Sequence, residues 1–273
     1  MLDADPAHAI VYDSFGNIIP LGSLISQVIL MFAVTRFGFA VFVMLVGQVL
    51  FGQTMFGRRA WSDDAAHTAR HDRAITIATE LLQSQKDSPT ASALTRLGDA
   101  LLRSGRCQEA VKNFETAIQL SPQSEPYLWQ HGIALFFVGR YDDARELFEK
   151  HRLVNPHDVE NAAWHFLCVA KAQDVDRARK ILLPAPGDAR IPMEEVLKRL
   201  PGGGFDEIRS AVAKTEGTRD HASAAFYGDF YIGLIADAEG NREIAKTHLE
   251  KAAATDFTHY MADVARVYAN HLQ

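Results

Sequence analysis

Hydrophobic positions follow two different patterns along the chain. Between residues 18 and 56 they are almost continuous, and Arg36 is the one charged residue. After Ser62, apolar and charged positions are interspersed as in water-soluble helices. Residues 37–56 are 20 residues without a charge, which as a helix would cross the roughly 30 Å hydrocarbon core of a bilayer. We therefore predict one transmembrane helix at 37–56.

The preceding apolar segment, residues 21–35, carries Ser23, Ser26 and Gln27 close together on one helical face. A straight helix over 21–56 would be about 54 Å long, more than a bilayer core needs. A turn back at Arg36 would leave almost no loop for an antiparallel pair. Segment 21–35 is therefore predicted either to lie in the membrane interface or to extend the helix out of the membrane against another protein.

Arginine positions predict the orientation of the span. Arg36 lies on its N-terminal side, whereas Arg58 and Arg59 follow its C-terminal end. Because Lys and Arg accumulate on the cytoplasmic side, we expect a single-pass protein of a bacterial inner membrane or thylakoid-like membrane, with its C-terminal domain in the cytoplasm or stroma. No Lys or Arg precedes the apolar region, so no cleavable signal peptide is predicted.

The chain after residue 90 contains an internal repeat. Four pairs of identical residues are each separated by 34 positions: Gly98 and Gly132, Ala110 and Ala144, Phe114 and Phe148, and Pro122 and Pro156. The blocks 91–124 and 125–158 resemble the tetratricopeptide repeat (TPR), a helix-turn-helix unit of about 34 residues. The resemblance implies an all-α solenoid, in which the glycines and alanines allow close helix contact and Gly105 and Gly139 end the first helix of each repeat.

The repeat weakens and then returns. Block 159–192 is degenerate, and two short helices are expected near 192–200 and 205–214 before the motif reappears at 226–259. Helices at 63–86 and 260–273 are predicted to cap the array. The predicted organisation is an N-terminal tail (1–17), an interfacial plus transmembrane helix (18–57), a linker and capping helix (58–90), and a TPR-like solenoid (91–273) with an irregular insertion near 184–220.

The region after residue 91 also resembles NlpI-type TPR proteins and TPR proteins of plant chloroplasts, through GIALFFVGRYDDARELFEKHRLVNPHD and FYIGLIADAEGNREIAKTHLEKAAA. The NlpI-type proteins are lipid-anchored periplasmic adaptors. This chain has no Cys near its N terminus to lipidate, so the resemblance does not extend to the periplasmic compartment of those proteins. The resemblance implies an adaptor role.

The TPR resemblance further implies a concave groove that binds a partner. Residues at its groove positions are Trp129, Ile133, Phe136, Phe137, Arg103, Lys171, Tyr227, Phe230 and Leu234. Contiguous aromatic and apolar residues are typical of protein-binding surfaces; the alternative is that they pack against neighbouring helices. The carboxylate-clamp residues of chaperone-binding TPR domains are missing, because Thr95, Asp99, Gln130, Glu160 and Trp164 occupy the corresponding positions.

Composition and motifs provide little chemistry. A net charge of -6 and a pI near 6.0 argue against nucleic-acid binding, which depends on cationic groups. His67 and His71 are spaced to share a metal ion, yet the sequence implies no third ligand, and solvated histidines are favoured by about ten to one. No catalytic constellation, metal site or cofactor is predicted.

These features predict a non-catalytic, membrane-anchored TPR scaffold, an accessory subunit or assembly factor of a larger membrane complex. Its expected partners are subunits of that complex, a helical or extended peptide segment in the groove, and the lipid bilayer. The alternative is a periplasmic-facing adaptor of a protease or envelope-biogenesis machine.

Overall fold

The computed structural model describes residues 10–12, 18–20, 65–85 and 88–273, which fall into two compact units, Met1–Ala66 and His67–Gln273. In the first, strands Ile10–Tyr12 (β1) and Ile18–Pro20 (β2) pair antiparallel. The predicted span at 37–56, segment 21–35 and the flanking arginines Arg36, Arg58 and Arg59 lie outside the described residues. Among the residues that are described, no helix has the length and apolarity needed to cross a membrane.

The second unit is helical throughout. Its α-helices are residues 65–84 (α1), Ala91–Arg103 (α2), Cys107–Leu120 (α3), Trp129–Phe137 (α4), Tyr141–Arg152 (α5), Val159–Ala172 (α6), Val175–Lys180 (α7), Met193–Arg199 (α8), Asp206–Ala213 (α9), His221–Ala238 (α10), Arg242–Ala253 (α11) and Tyr260–His271 (α12). A 3-10 helix, Pro122–Tyr127, joins α3 to α4. Helices therefore lie at the positions predicted for the repeats, for the two short helices of the insertion and for the C-terminal helix.

Local sequence explains where these helices begin and end. The Thr90 hydroxyl accepts a hydrogen bond from the Ala93 amide and caps α2, and the Asp174 carboxylate caps α7 at the Arg177 amide. Gly105 and Gly139 have φ of +84° and +80°, a conformation that side chains with a Cβ rarely adopt. They form the predicted turns between the helices of the first two repeats.

Close packing within a repeat depends on its glycine. A Cβ at Gly98 would lie 3.0 Å from Phe114 Cε1, and a Cβ at Gly132 would lie 2.7 Å from Phe148 Cζ. Both phenylalanines are fully buried. The glycine and phenylalanine that recur every 34 residues are therefore in direct contact across the two helices of each repeat.

The C-terminal helix has a second role beside capping. Helix α12 packs on α11, the last helix before it, and also contacts α2, the first helix of the repeats. The array thus curls until its two ends meet, and α12 lies between them. This closure determines which part of the concave side stays open.

Candidate functional site

An ion-pair cluster joins the two ends of the array. The Asp263 carboxylate on α12 is fully buried and accepts hydrogen bonds from Arg103 Nε at 2.7 Å, Arg70 Nη2 at 2.5 Å and Arg266 Nη1 at 3.1 Å. Burial alone would raise the pKa of Asp263, but contacts from His71, Arg70 and Arg103 outweigh burial and hold its pKa well below the usual range. Helices α1, α2 and α12 are therefore held together through one carboxylate.

The same cluster brings a third potential metal ligand to His67 and His71. Asp263 lies within 4.8 Å of both ring nitrogens, a contact that the sequence did not reveal. However, Arg70 Nη2 already lies 3.1 Å from His67 Nδ1 and 3.4 Å from His71 Nε2. Because a guanidinium only donates, it takes the place of a metal cation, and the geometry favours an ion-pair network.

Much of the predicted groove is filled by the chain itself. Phe136 and Phe137 are 1% and 8% exposed, and each ring centroid lies 5.5 Å from that of Tyr268 on α12. The Tyr268 hydroxyl donates to Asp237 Oδ2 at 2.6 Å, so its polar end is also satisfied. At this level of the groove, α12 lies where the TPR resemblance places a bound peptide.

The other predicted groove residues are divided between the interior and polar contacts. Phe230 and Leu234 are fully buried in the core. Lys171 Nζ donates to Asp237 Oδ1 at 2.9 Å, and Arg103 belongs to the Asp263 cluster. Tyr227 is half-buried, with the Arg190 guanidinium carbon 5.5 Å from its ring centroid.

Trp129 and Ile133 line a cavity on the concave side, with a volume of about 530 Å³. We call this the concave cavity. Its walls come from α4, α5, α6, the loop before α8 and the start of α12: Trp129, Ile133, Phe148, His151, Asn155, His157, Asp158, Glu160, Asn161, Trp164, Gly187, Asp188, Ala189, Arg190, Tyr260 and Met261. The volume falls in the range of about 300–1,000 Å³ typical of ligand pockets.

Charges are concentrated on one wall of the concave cavity. Arg190 Nη2 donates to Asp158 at 3.1 Å and to Asp188 at 2.6 Å, and Arg190 Nη1 donates to Glu160. Burial raises the pKa of Glu160 despite this contact. Burial would also raise the pKa of Asp188, but hydrogen bonds from Arg190 lower it below the ordinary value. One guanidinium is thus shared among three carboxylates.

Several buried polar atoms in the cavity wall have no hydrogen-bond partner among the described residues. They are His151 Nε2, Asn161 Oδ1 and Trp164 Nε1, on side chains that are 5%, 4% and 1% exposed. Asn161 Nδ2 donates to the Phe148 carbonyl at 3.1 Å, which fixes the amide with its oxygen unpaired. Buried polar groups without partners are uncommon in folded proteins, and each calls for an explanation such as a functional role or a bound water or ion.

Sequence reasoning missed the acidic part of this cavity. Asp188 and Arg190 belong to the stretch LPAPGDARIP, which was interpreted only as an interruption of the repeat. Its two charged residues, between Gly187 and Ile191, were the available signal. That the loop folds back onto α6 follows from tertiary contacts, including the hydrogen bond at 2.6 Å between His157 Nδ1 and the Pro186 carbonyl.

Comparison with known families agrees with the repeat architecture. Residues 64–183 match the family described as Psidin, N-terminal TPR repeats region. This part of the chain is therefore similar to a TPR repeat region. TPR domains are typically non-catalytic modules that bind proteins or peptides, and the matched segment includes α4, α5 and α6, which contribute most of the concave cavity. No curated protein has a sequence that matches this chain significantly.

Proposed function

We propose that this protein is a non-catalytic TPR scaffold that holds a segment of a partner protein in the concave cavity. The supporting observation is that Trp129, Ile133 and Trp164 of the TPR-like region line an open cavity, while Phe136 and Phe137 are covered by Tyr268 of α12. Aromatic residues around a concave, part-apolar site are common anchors for protein ligands. The cavity lies beside the exposed residue Asn155, so a bound segment has a path out to solvent.

In this proposal, the apolar segment at 37–56 anchors the chain in a bilayer and the partner is a subunit of a membrane complex. The uncharged length of that segment and the arginines around it support the anchor. A protein that binds the bilayer and a partner together raises the partner's local concentration without any reaction. An accessory subunit or assembly factor would work in this way.

Site-specific photo-crosslinking in native membranes tests the proposal. Full-length protein carrying p-benzoylphenylalanine at Asn155, on the cavity rim, should crosslink to a discrete partner. The matched control carries it at Ser210, an exposed residue of α9 that does not line the cavity. Trp129→Ala should abolish the Asn155 product while leaving the helical circular dichroism signal intact. Equal products from both positions, or an Asn155 product that survives Trp129→Ala, would refute the cavity as the binding site.

A further inference from the structure

We propose that the concave cavity recognises a basic side chain, arginine or lysine, on the partner segment. This inference rests on the proposed function, because it names the chemistry of the ligand at the same site. It is argued from the charge of the cavity, from its hydrogen-bonding groups and from its aromatic walls.

The cavity carries more negative than positive charge. Asp158, Glu160 and Asp188 are 21%, 13% and 6% exposed, and Arg190 is the cation that pairs with all three. With its histidines neutral, the lining therefore has a formal charge of -2. Carboxylates that are largely removed from water need compensating cations. Burial raises the pKa of Glu160 even though the Arg190 guanidinium lies beside it.

Among the unpaired polar atoms, Trp164 Nε1 is itself a donor, whereas Asn161 Oδ1 calls for a ligand that donates hydrogen bonds. Asn161 Oδ1 is an acceptor, because its amide nitrogen is already engaged at Phe148. His151 Nδ1 lies 2.8 Å from the Pro126 carbonyl and must donate to it, and its Nε2 lies 4.0 Å from Asp158 Oδ2. Beside the three carboxylates, Asn161 Oδ1 is thus a further acceptor in the cavity wall without a donor. A guanidinium or an ammonium carries several donors and no acceptor.

The apolar walls suit the rest of such a side chain. Trp129 and Tyr260 pack edge to face with ring centroids 4.8 Å apart, and Trp164 and Phe148 complete the aromatic lining. Aromatic faces attract Lys and Arg cations, and the methylene stems of these residues pack well on apolar surface. Arg103 already shows this contact, with its guanidinium carbon 5.2 Å from the Tyr260 ring centroid. A partner carboxylate would instead meet Asp158, Glu160 and Asp188.

Peptide titrations on the full chain in detergent test the inference. The probe is acetyl-Gly-Ser-Leu-Arg-Leu-Ser-Gly-amide, compared with peptides in which citrulline, lysine or glutamate replaces the arginine. Citrulline keeps the shape of arginine and removes its charge. Indole N–H resonances of Trp129 and Trp164, followed by NMR, report where each peptide binds. We expect the arginine and lysine peptides to shift both resonances. The citrulline and glutamate peptides should bind at least about tenfold more weakly.

A matched pair of variants tests the role of charge. Glu160→Gln should weaken binding of the arginine peptide several-fold, whereas Glu194→Gln, on an exposed carboxylate of α8 outside the cavity, should not. If Glu160→Gln unfolds the chain, the salt dependence of arginine-peptide binding by the unmodified protein provides the same test. Affinity that is unchanged by salt overturns the inference.

Two other outcomes would overturn the inference. The first is equal affinity for the arginine and citrulline peptides. The second is the absence of any shift at Trp129 and Trp164 with about 5 mM arginine peptide, since a dissociation constant of that size corresponds to a binding free energy of only about 3 kcal/mol. If the Asn155 crosslink persists in either case, the scaffold function stands and the basic-residue specificity falls. Loss of the crosslink as well would remove both.

Discussion

Asp263→Asn should destabilise the closed array more than its single lost charge suggests. The side chain keeps its volume but loses the negative charge that neutralises Arg70, Arg103 and Arg266. Removing one partner of a buried ion pair typically costs about 3–5 kcal/mol, because the other charge stays uncompensated. The three arginine side chains are 32%, 28% and 17% exposed, so water solvates them in part. We therefore expect a loss near the lower limit, about 3 kcal/mol.

Denaturant and thermal unfolding of the full chain, both followed by circular dichroism, measure this loss. For a unit the size of 67–273, each kcal/mol changes Tm by about 2–4 °C, so the melting temperature should fall by about 6–12 °C. Asp206→Asn is the matched control, because that carboxylate is 95% exposed and pairs only with Arg209 among the described residues. A difference between Asp263→Asn and the unmodified protein of less than about 0.5 kcal/mol would refute the reasoning.

The pH dependence of this difference is a second check. The folded-state pKa of Asp263 lies below its ordinary value, so its contribution to stability is fully present above the unfolded pKa and disappears as pH falls. The gap between the unmodified protein and Asp263→Asn should stay constant from about pH 5 to pH 8 and narrow below about pH 4. A gap that widens in acid would contradict the assigned ion pairs.

Three further predictions concern packing, titration and topology. Gly132→Ala should destabilise by about 1–3 kcal/mol in denaturant titrations because the new Cβ meets the Phe148 ring, whereas Gly204→Ala should not, because its Cβ would lie 4.0 Å from Asp206 Oδ2, an ordinary contact distance. Burial lowers the pKa of His131 to about 4, so this histidine alone should cost the protein about 2 kcal/mol between pH 7 and pH 5 as the unfolded state takes up the proton; His131→Leu should remove that contribution. If the C-terminal domain lies in the cytoplasm, as proposed, a Ser210→Cys variant should react with membrane-impermeant maleimide only after lysis of spheroplasts, and burial of both native cysteines makes the label specific; labelling of intact spheroplasts would support the periplasmic alternative.

Local features of this fold were predictable because the repeat records them in sequence. Gly98 and Gly132 face Phe114 and Phe148 within single repeats, where the contact partners are only 16 positions apart. Turn glycines and capping side chains act over even shorter distances. A pattern that recurs every 34 residues reports such contacts directly, since each helix pair must bury the same apolar face.

Only the tertiary structure decided which part of the concave side is filled and which part stays open. Phe136 looked like an exposed groove residue, yet it packs on Tyr268 of α12, and Asp263 meets Arg70 across 193 positions. Such contacts depend on the small rotation between successive repeats, which accumulates until the ends meet and which no single repeat encodes visibly. The sequence therefore determined the helices and their pairing, whereas the curvature of the array determined that α12 covers Phe136 and Phe137 and that Asp188 and Arg190 border the part left open.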